Sequence, residues 1–179
     1  NYHVAFHPKG TQIAVASIDQ SASIFDLRSG DLVLKFSHDP SVDISRVRFS
    51  PDGMQLATAG ADGKVIFWDA ASGELLSEVA GHTKSVIDVA FDSGGSHLVT
   101  GSADKTVRVW DIEKNDNGVT IIVPKFELKS STKEIRSVVF SPDGKQLVTA
   151  GGDQVIRIYP TSLQDLVDEA NRRIIAAGD

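Results

Sequence analysis

Side chains of the kind that form nucleophilic triads occur in this chain at His82, Thr100 and Asp104. In a hydrolase, such a histidine activates the hydroxyl group and the aspartate orients the histidine. The hydroxyl and the carboxylate recur with the same spacing at Thr58 and Asp62. An enzyme needs a triad only once, so this repetition favours a structural role for these residues over catalysis.

Other kinds of chemistry have little support in the sequence. The chain contains no cysteine, which excludes disulfides and thiol nucleophiles. His3 and His7 are four residues apart, a spacing that separates two side chains on a strand by about 13 Å, too far to share a metal ion. The glycine-rich turns lack the spacing and the following helix of a phosphate-binding loop. We therefore expect no catalytic residue, no metal site and no cofactor.

Composition narrows the partners that the chain could have. Hydrophobic residues make up 41% of the chain and charged residues 23%, as in a soluble globular protein. The net charge is −6 and lysine and arginine are not clustered, which argues against binding to nucleic acid. No apolar run is long enough to span a membrane. We expect neither a nucleic-acid nor a membrane partner, and a cysteine-free chain is compatible with the cytoplasm, the location that we expect.

The elements that carry these residues are repeated four times along the chain. A phenylalanine stands before a turn at positions 6, 49, 91 and 140, and a second aromatic residue follows at 25, 68, 110 and 159. Both landmarks give steps of 43, 42 and 49 residues. Such a period is typical of a repeat architecture. The longer third step indicates an insertion in one connecting segment, from Glu113 to Pro124.

Each repeat has the pattern of short strands separated by tight turns. In the second repeat, Val47 and Phe49 alternate with Arg46 and Arg48, which is the period of a strand with one buried face. The Ser-Pro-Asp-Gly sequence at 50–53 is a turn in which proline presets φ and glycine accepts a positive φ. Four antiparallel strands per repeat, and hence an all-β fold, are predicted.

At these offsets the third repeat resembles a unit of the WD-repeat family. The residues that carry the resemblance are Gly81-His82, Phe91, Asp104 and Trp110-Asp111, and the resemblance covers about residues 2 to 160. It implies a β-propeller of four-stranded antiparallel blades at 1–38, 39–80, 81–130 and 131–160.

The resemblance also implies a buried hydrogen-bonded set in each blade, made of a histidine, a strand serine or threonine, a turn aspartate and a tryptophan. In the third blade the set would be His82, Thr100, Asp104 and Trp110. The second blade offers Thr58, Asp62 and Trp68, with His38 displaced by two residues. The fourth offers Thr149, Asp153 and Tyr159, with Ser131 at the histidine position. The first blade has Val15 and Phe25 instead and is expected to lack the set.

The end of the chain departs from the repeat pattern. Apolar residues between 163 and 174 follow helical spacing, which predicts a helical tail over 161–179, and the last blade is expected to lack its outer strand. Four repeats are fewer than a typical propeller of the family has, so we expect further repeats upstream, or a second chain, to complete it. The tail resembles the endings of WD-repeat domains in bacterial multidomain signalling proteins.

These features predict a non-catalytic scaffold or sensor that binds a protein partner, or another domain of its own chain, through propeller loops. By analogy with the family, the candidate contact residues are Asp43, Ser45, Ala61, Ser85, Ile87, Ala103, Glu134, Arg136 and Gly152. Two alternatives remain open. One is a structural module that closes a propeller by dimerisation. The other is an enzyme with a site in the central channel, which would need inward-facing histidine, aspartate or arginine side chains.

Overall fold

The computed structural model describes residues 3–17, 19–114, 120–129 and 131–162. Within these ranges the chain forms strands and turns and no helix. Four antiparallel sheets follow one another along the sequence, and in each sheet the strands are paired in chain order. This is an all-β, propeller-like array in which each sheet is one blade.

The first three blades have four strands each, and the fourth has three in the described part of the chain. The first blade contains β1 (His3–Phe6), β2 (Gln12–Ala16), β3 (Ser21–Asp26) and β4 (Leu32–Ser37). The second contains β5 (Ile44–Phe49), β6 (Gln55–Gly60), β7 (Lys64–Asp69) and β8 (Leu75–Ala80). The third contains β9 (Val86–Phe91), β10 (His97–Ser102), β11 (Val107–Lys114) and β12 (Thr120–Leu128). The fourth contains β13 (Ile135–Phe140), β14 (Gln146–Gly151) and β15 (Ile156–Pro160).

The turn between the first two strands of a blade is built by its own side chains. In the second blade, the Ser50 hydroxyl lies 2.5 Å from Asp52 Oδ1, and the same carboxylate accepts a bond of 2.9 Å from the amide of Met54. Gly53 has a φ of 76°, a conformation that costs glycine little because it has no Cβ. This compact turn ends β5 and returns the chain into β6.

Apolar side chains bury themselves between neighbouring blades. Val47 and Phe49 of β5 pack towards the first blade, together with Trp68. A second cluster joins the second and third blades around Phe67 and Trp110. A third, including residues of β9–β11, β13 and β14, joins the last two blades. Because each blade buries its faces against its neighbours, stability depends on stacking, as in other repeat proteins.

The insertion in the third repeat differs from its prediction as a connecting segment. It lengthens a hairpin, because β11 continues to Lys114 and β12 begins at Thr120, with Glu113 opposite Ile121. The β-branched run at 121–123 explains this, since such residues favour strands. The hairpin also reaches the second blade, where the Gln55 amide donates to the buried Thr120 hydroxyl at 2.9 Å.

The predicted helical tail falls almost wholly on residues 163–179, which lie outside the described ranges. Of its first residues, Thr161 turns back to the fourth blade. Its hydroxyl donates to the Gly144 carbonyl at 2.7 Å and its amide to the Lys145 carbonyl at 3.1 Å.

Candidate functional site

The triad-like residues of the third blade form a continuous hydrogen-bonded chain. The Trp110 indole N–H donates to Thr100 Oγ1 at 3.0 Å, and Thr100 Oγ1 lies 2.7 Å from His82 Nε2. His82 Nδ1 lies 2.9 Å from Asp104 Oδ2. Because an ionised carboxylate only accepts, Nδ1–H donates to Asp104, and Nε2 accepts the Thr100 hydroxyl proton.

This connectivity is that of a hydrolase triad, but the hydroxyl has no access to a substrate. Thr100 is 0% exposed, and its oxygen already accepts the indole N–H. A nucleophile must reach the reacting carbon, so the chain of bonds in the third blade is structural.

The local electrostatics keep His82 neutral and Asp104 ionised. Burial is the largest influence on His82 and lowers its pKa, although Asp104 opposes this. Burial alone would raise the pKa of Asp104, but bonds from Thr106, the Thr83 amide and His82 outweigh it and lower the value to about 2. The carboxylate is therefore a fixed acceptor at neutral pH.

Gly81, next to His82, has a packing role. A Cβ at this position would lie 2.7 Å from Cη2 of Trp110. A contact this short is a clash, so glycine allows the indole to lie against the backbone.

The second blade repeats part of this hydrogen-bonded network. Trp68 Nε1 donates to Thr58 Oγ1 at 2.8 Å, and His38 Nε2 lies 2.7 Å from the same oxygen. The two extra residues before the blade therefore do not displace His38 from the set. Asp62 Oδ1 is 3.8 Å from His38 Nδ1, longer than a hydrogen bond, so the last link is open.

The fourth blade does not form the set predicted for it. The buried Thr149 hydroxyl has no hydrogen-bond partner among the described residues, and Tyr159 does not bind it. Asp153 instead accepts bonds from Ser131, at 2.8 Å, and from both terminal nitrogens of Arg157, at 3.2 and 2.8 Å. The set is replaced by an ion pair because Ser131 is too short to link Asp153 to Thr149.

The predicted contact residues lie at one end of the blades, in the loops before the first strands or at the start of those strands, and in the turns before the third strands. The structure joins these loops in pairs through backbone bonds. The amides of Ala61, Ala103 and Gly152 donate to the carbonyls of Asp43, Ser85 and Glu134 at 2.9, 2.9 and 2.8 Å, respectively. We call this end of the array the loop face.

The loop-face side chains differ in how free they are to meet a partner. Arg136 is 69% exposed and pairs with Glu134 at 3.0 Å, and Asp43 is also exposed. Ser45 is not free, because its hydroxyl is within 3.0 Å of the Ala59 carbonyl and 2.5 Å of the Val86 carbonyl, which joins two blades. The Ile87 carbonyl likewise accepts a bond from a neighbouring blade.

Sequence reasoning missed a polar row on the first strands, at the position three residues before the phenylalanine of each repeat. Its members are His3, Arg46, Asp88 and Ser137. Asp88 Oδ1 pairs with Arg46 Nε at 3.0 Å, and Oδ2 accepts the Ser137 hydroxyl at 3.0 Å. Burial, followed by the charges of Arg48 and Arg46, lowers the pKa of His3 to about 4. Comparing the four repeats position by position would have revealed this row.

The row contains the residue types that a central-channel enzyme would need, but it is not arranged as an active site. Asp88 is 3% exposed. Its oxygens are already occupied by Arg46, Ser137 and the amides of Val89 and Val138. The row links three blades and leaves Asp88 no lone pair directed at a substrate.

The part of the chain that the structure describes has neither a metal-binding cluster nor a membrane-spanning helix. Among the described residues, no group of three or more histidine, aspartate or glutamate side chains is placed to hold a metal ion. No helix long and apolar enough to cross a membrane occurs in the same part of the chain.

Comparison with known proteins supports the architecture directly. The model of the family described as "WD domain, G-beta repeat" matches residues 2–26, 30–69, 73–111 and 122–159. These four matches cover most of the chain and correspond to the four repeats.

Short stretches are also similar to curated proteins. The chain is 54% identical over 37 residues to the Periodic tryptophan protein 2 homolog of Schizosaccharomyces pombe, and 44% identical over 36 residues to Protein Notchless of Drosophila melanogaster. It is 50% identical over 36 residues to THO complex subunit 3 of Arabidopsis thaliana. The stretches are 21%, 20% and 20% of this chain, and they span only 4%, 7% and 11% of the relatives' lengths, respectively.

Proposed function

The chain belongs to the family of WD-domain, G-beta repeat proteins, and on that premise we propose that it is a non-catalytic protein-interaction scaffold. It binds a protein partner, or another domain of its own chain, through the loop face. WD-repeat proteins generally act as such scaffolds, and the family is generally non-catalytic. The activities of the relatives named above belong to proteins many times longer than the matched stretches.

One observation carries the proposal: the loop face is built the same way three times. The pairs Asp43–Ala61, Ser85–Ala103 and Glu134–Gly152 each hold an entry loop against a turn by a backbone bond. Loops held on rigid sheets are the usual place for recognition. The triad-like side chains, in contrast, form hydrogen bonds inside the blades.

A more specific role as a sensor in a signalling protein is part of the proposal. Its support is the likeness of the tail at 163–170 to the endings of WD-repeat domains in bacterial multidomain signalling proteins. In such a protein the loop face would hold a partner domain until a trigger releases it. The absence of cysteine is compatible with the cytoplasm as its location.

Site-specific photo-crosslinking in cells tests the loop face. A photoreactive amino acid is placed at Asp43 or Arg136, and as a matched control at Lys35, which is exposed on the outer strand of the first blade. We expect the same covalent adduct from the first two positions and not from the control. Adducts of equal yield from all three positions, or from the control alone, would refute the loop face as the binding surface.

A second candidate function, assembly of a larger propeller, has its own support. Large apolar side chains are exposed on the first and last blades, including Phe6 at 68%, Ile156 at 72% and Ile158 at 60%. Such faces bind other chains or further repeats. Residues 1–179 alone should therefore dimerise, aggregate or melt early, and the same segment with upstream repeats should be a soluble monomer. A stable monomer of the short form in sedimentation analysis would exclude this function.

A further inference from the structure

An open cavity of about 520 Å³ lies at the end of the array opposite the loop face. Its walls come from the last residues of the first strands and from the turns that follow them, including Ser50, Pro51 and Ser93. The loop-face residues precede or begin those same strands. The cavity is therefore a separate surface, and neither the buried sets nor the loop face explains it.

Arg48 is the single lysine or arginine among the described residues that line this cavity. Its Nε donates to the Val89 carbonyl at 3.4 Å, and it forms no ion pair with a described carboxylate. Its neighbour Arg46 differs, because its Nε pairs with Asp88 at 3.0 Å. No described carboxylate pairs with the partly buried Arg48, so its guanidinium can donate to an anionic ligand.

The fold itself does not require an arginine here. The residue just before the phenylalanine of each repeat is Ala5, Arg48, Ala90 or Val139. Three blades thus complete the same strand with a small or apolar side chain. Arg48 is therefore specific to this surface and is not required by the repeat.

The surroundings disfavour the positive charge of Arg48. Partial burial is the main influence and lowers its pKa, and Asp88 opposes this while Arg46 adds to it. The two acidic residues of the lining are already engaged. Asp88 binds Arg46 and Ser137, and Asp92 binds His97 at 2.9 Å and Ser96 at 3.0 Å.

We propose that this cavity binds a carboxylate that is carried beside an apolar or aromatic group, with the Arg48 guanidinium as its anchor. A guanidinium presents a planar fork that matches a carboxylate. Arg48 is the single lysine or arginine of the described lining. The site therefore suits a monoanion better than a phosphate, which carries more negative charge. The apolar part of the ligand would lie against Phe91, Pro51 and Val139.

Within the scaffold function, the physiological ligand is an acidic side chain or a C-terminal carboxylate of a protein segment. That identification rests on the proposed function, whereas the pocket itself does not. The crosslinking experiment tests the loop face, and the titration below tests the cavity with small molecules. Each can therefore fail without the other.

The test is a nuclear magnetic resonance titration of the protein in its soluble form, with ¹⁵N-labelled arginine side chains. The probes are phenylacetate, its neutral isostere phenylacetamide, and inorganic phosphate. We expect phenylacetate to shift the Arg48 Nε–H resonance saturably, and the other two probes to leave it unchanged. Equal shifts from phenylacetamide, or tighter binding of phosphate, would overturn the proposal.

Three variants assign the binding to Arg48. R48M keeps most of the side-chain stem and should weaken phenylacetate at least about tenfold, the scale of a lost charge-assisted bond. R48K keeps the charge but loses the fork, so its affinity should be intermediate. R28M removes an exposed arginine elsewhere and should bind as the parent protein does. Full affinity in R48M would refute the anchor, and melting curves of each variant verify folding. If R48M does not fold, the proposal is decided by R48K, for which parent-like affinity would refute a role for the fork.

Discussion

The third and fourth blades have the same turn aspartate and strand threonine but use them differently. In the third, Thr100 joins Trp110 to His82, and His82 passes the chain of bonds on to Asp104. In the fourth, the Thr149 hydroxyl is buried and has no hydrogen-bond partner among the described residues, and Asp153 is held by Arg157. Two identical residue types therefore do not ensure the same network.

The difference lies in the two larger members of the set. An indole N–H projects from the side of its ring, whereas the hydroxyl of Tyr159 is at the far end, so it does not donate to Thr149. Ser131 reaches Asp153 at 2.8 Å, but its side chain has one polar atom where histidine has two, so no atom remains to bond Thr149. When the tryptophan and the histidine of the set are both replaced, the threonine between them loses its hydrogen-bond partners. The fourth blade then depends on its apolar contacts and on a partly buried ion pair between Arg157 and Asp153.

Replacing the aromatic residue should give the largest contrast between these blades. W110A removes a side chain that is 3% exposed and leaves Thr100 Oγ1 without the indole N–H that donates to it. It should destabilise by about 3–5 kcal/mol. Y159A removes a partly buried ring that has no hydrogen bond to Thr149 and should cost clearly less. Urea unfolding of both variants measures the difference, and equal losses would show that the third blade gains nothing from its set.

Replacing the threonine by valine isolates the hydrogen bonds, because the two side chains have nearly the same shape. T100V leaves the Trp110 N–H without its acceptor and His82 Nε2 without its donor. It should destabilise by about 1–3 kcal/mol. T149V removes a hydroxyl that no described residue bonds, and it should change stability by less than about 0.5 kcal/mol, or increase it. If T149V were as costly as T100V, the fourth-blade hydroxyl would have a partner after all.

How far the sequence predicts the structure depends on how local each feature is. The strands and turns follow from period-2 alternation and from turns such as 50–53, so they were predicted well. The complete set of the third blade followed from a full motif. The capture of Asp153 by Arg157 was not predicted, although Arg157 lies directly opposite Thr149 in the sheet. That pairing is visible only once the register is known.

Contacts between blades were the hardest to predict. Arg46, Asp88 and Ser137 come from three blades and are joined only when the first strands pack side by side. The lack of a described carboxylate beside Arg48 is likewise a property of the assembled surface. His38 shows the opposite case, because two extra residues made its place doubtful and packing still brought it to Thr58.

The smallest expected effect is a pH dependence that the third blade has and the fourth lacks. Burial lowers the pKa of His82 below its unfolded value of 6.5, so below that pH the unfolded chain binds more protons and stability falls. Asp104, with a pKa of about 2, loses its contribution only below about pH 4, so the range from pH 6.5 to 4.5 isolates the histidines. The melting temperature should fall by a few degrees between pH 7 and 5.5.

Substitution of His82 tests whether the change of melting temperature with pH comes from the third blade. H82Q should have a lower melting temperature at pH 7 but a smaller decrease between pH 7 and 5.5. Burial also lowers the pKa values of His38 and His3, so part of the pH dependence should remain in this variant. The fourth blade contributes nothing in this window because Ser131 does not titrate. A melting temperature that stays constant or rises on acidification would mean that His82 is protonated in the folded state. The Thr100 hydroxyl could then not donate to Nε2, and the hydrogen-bond directions assigned to the third blade would be wrong.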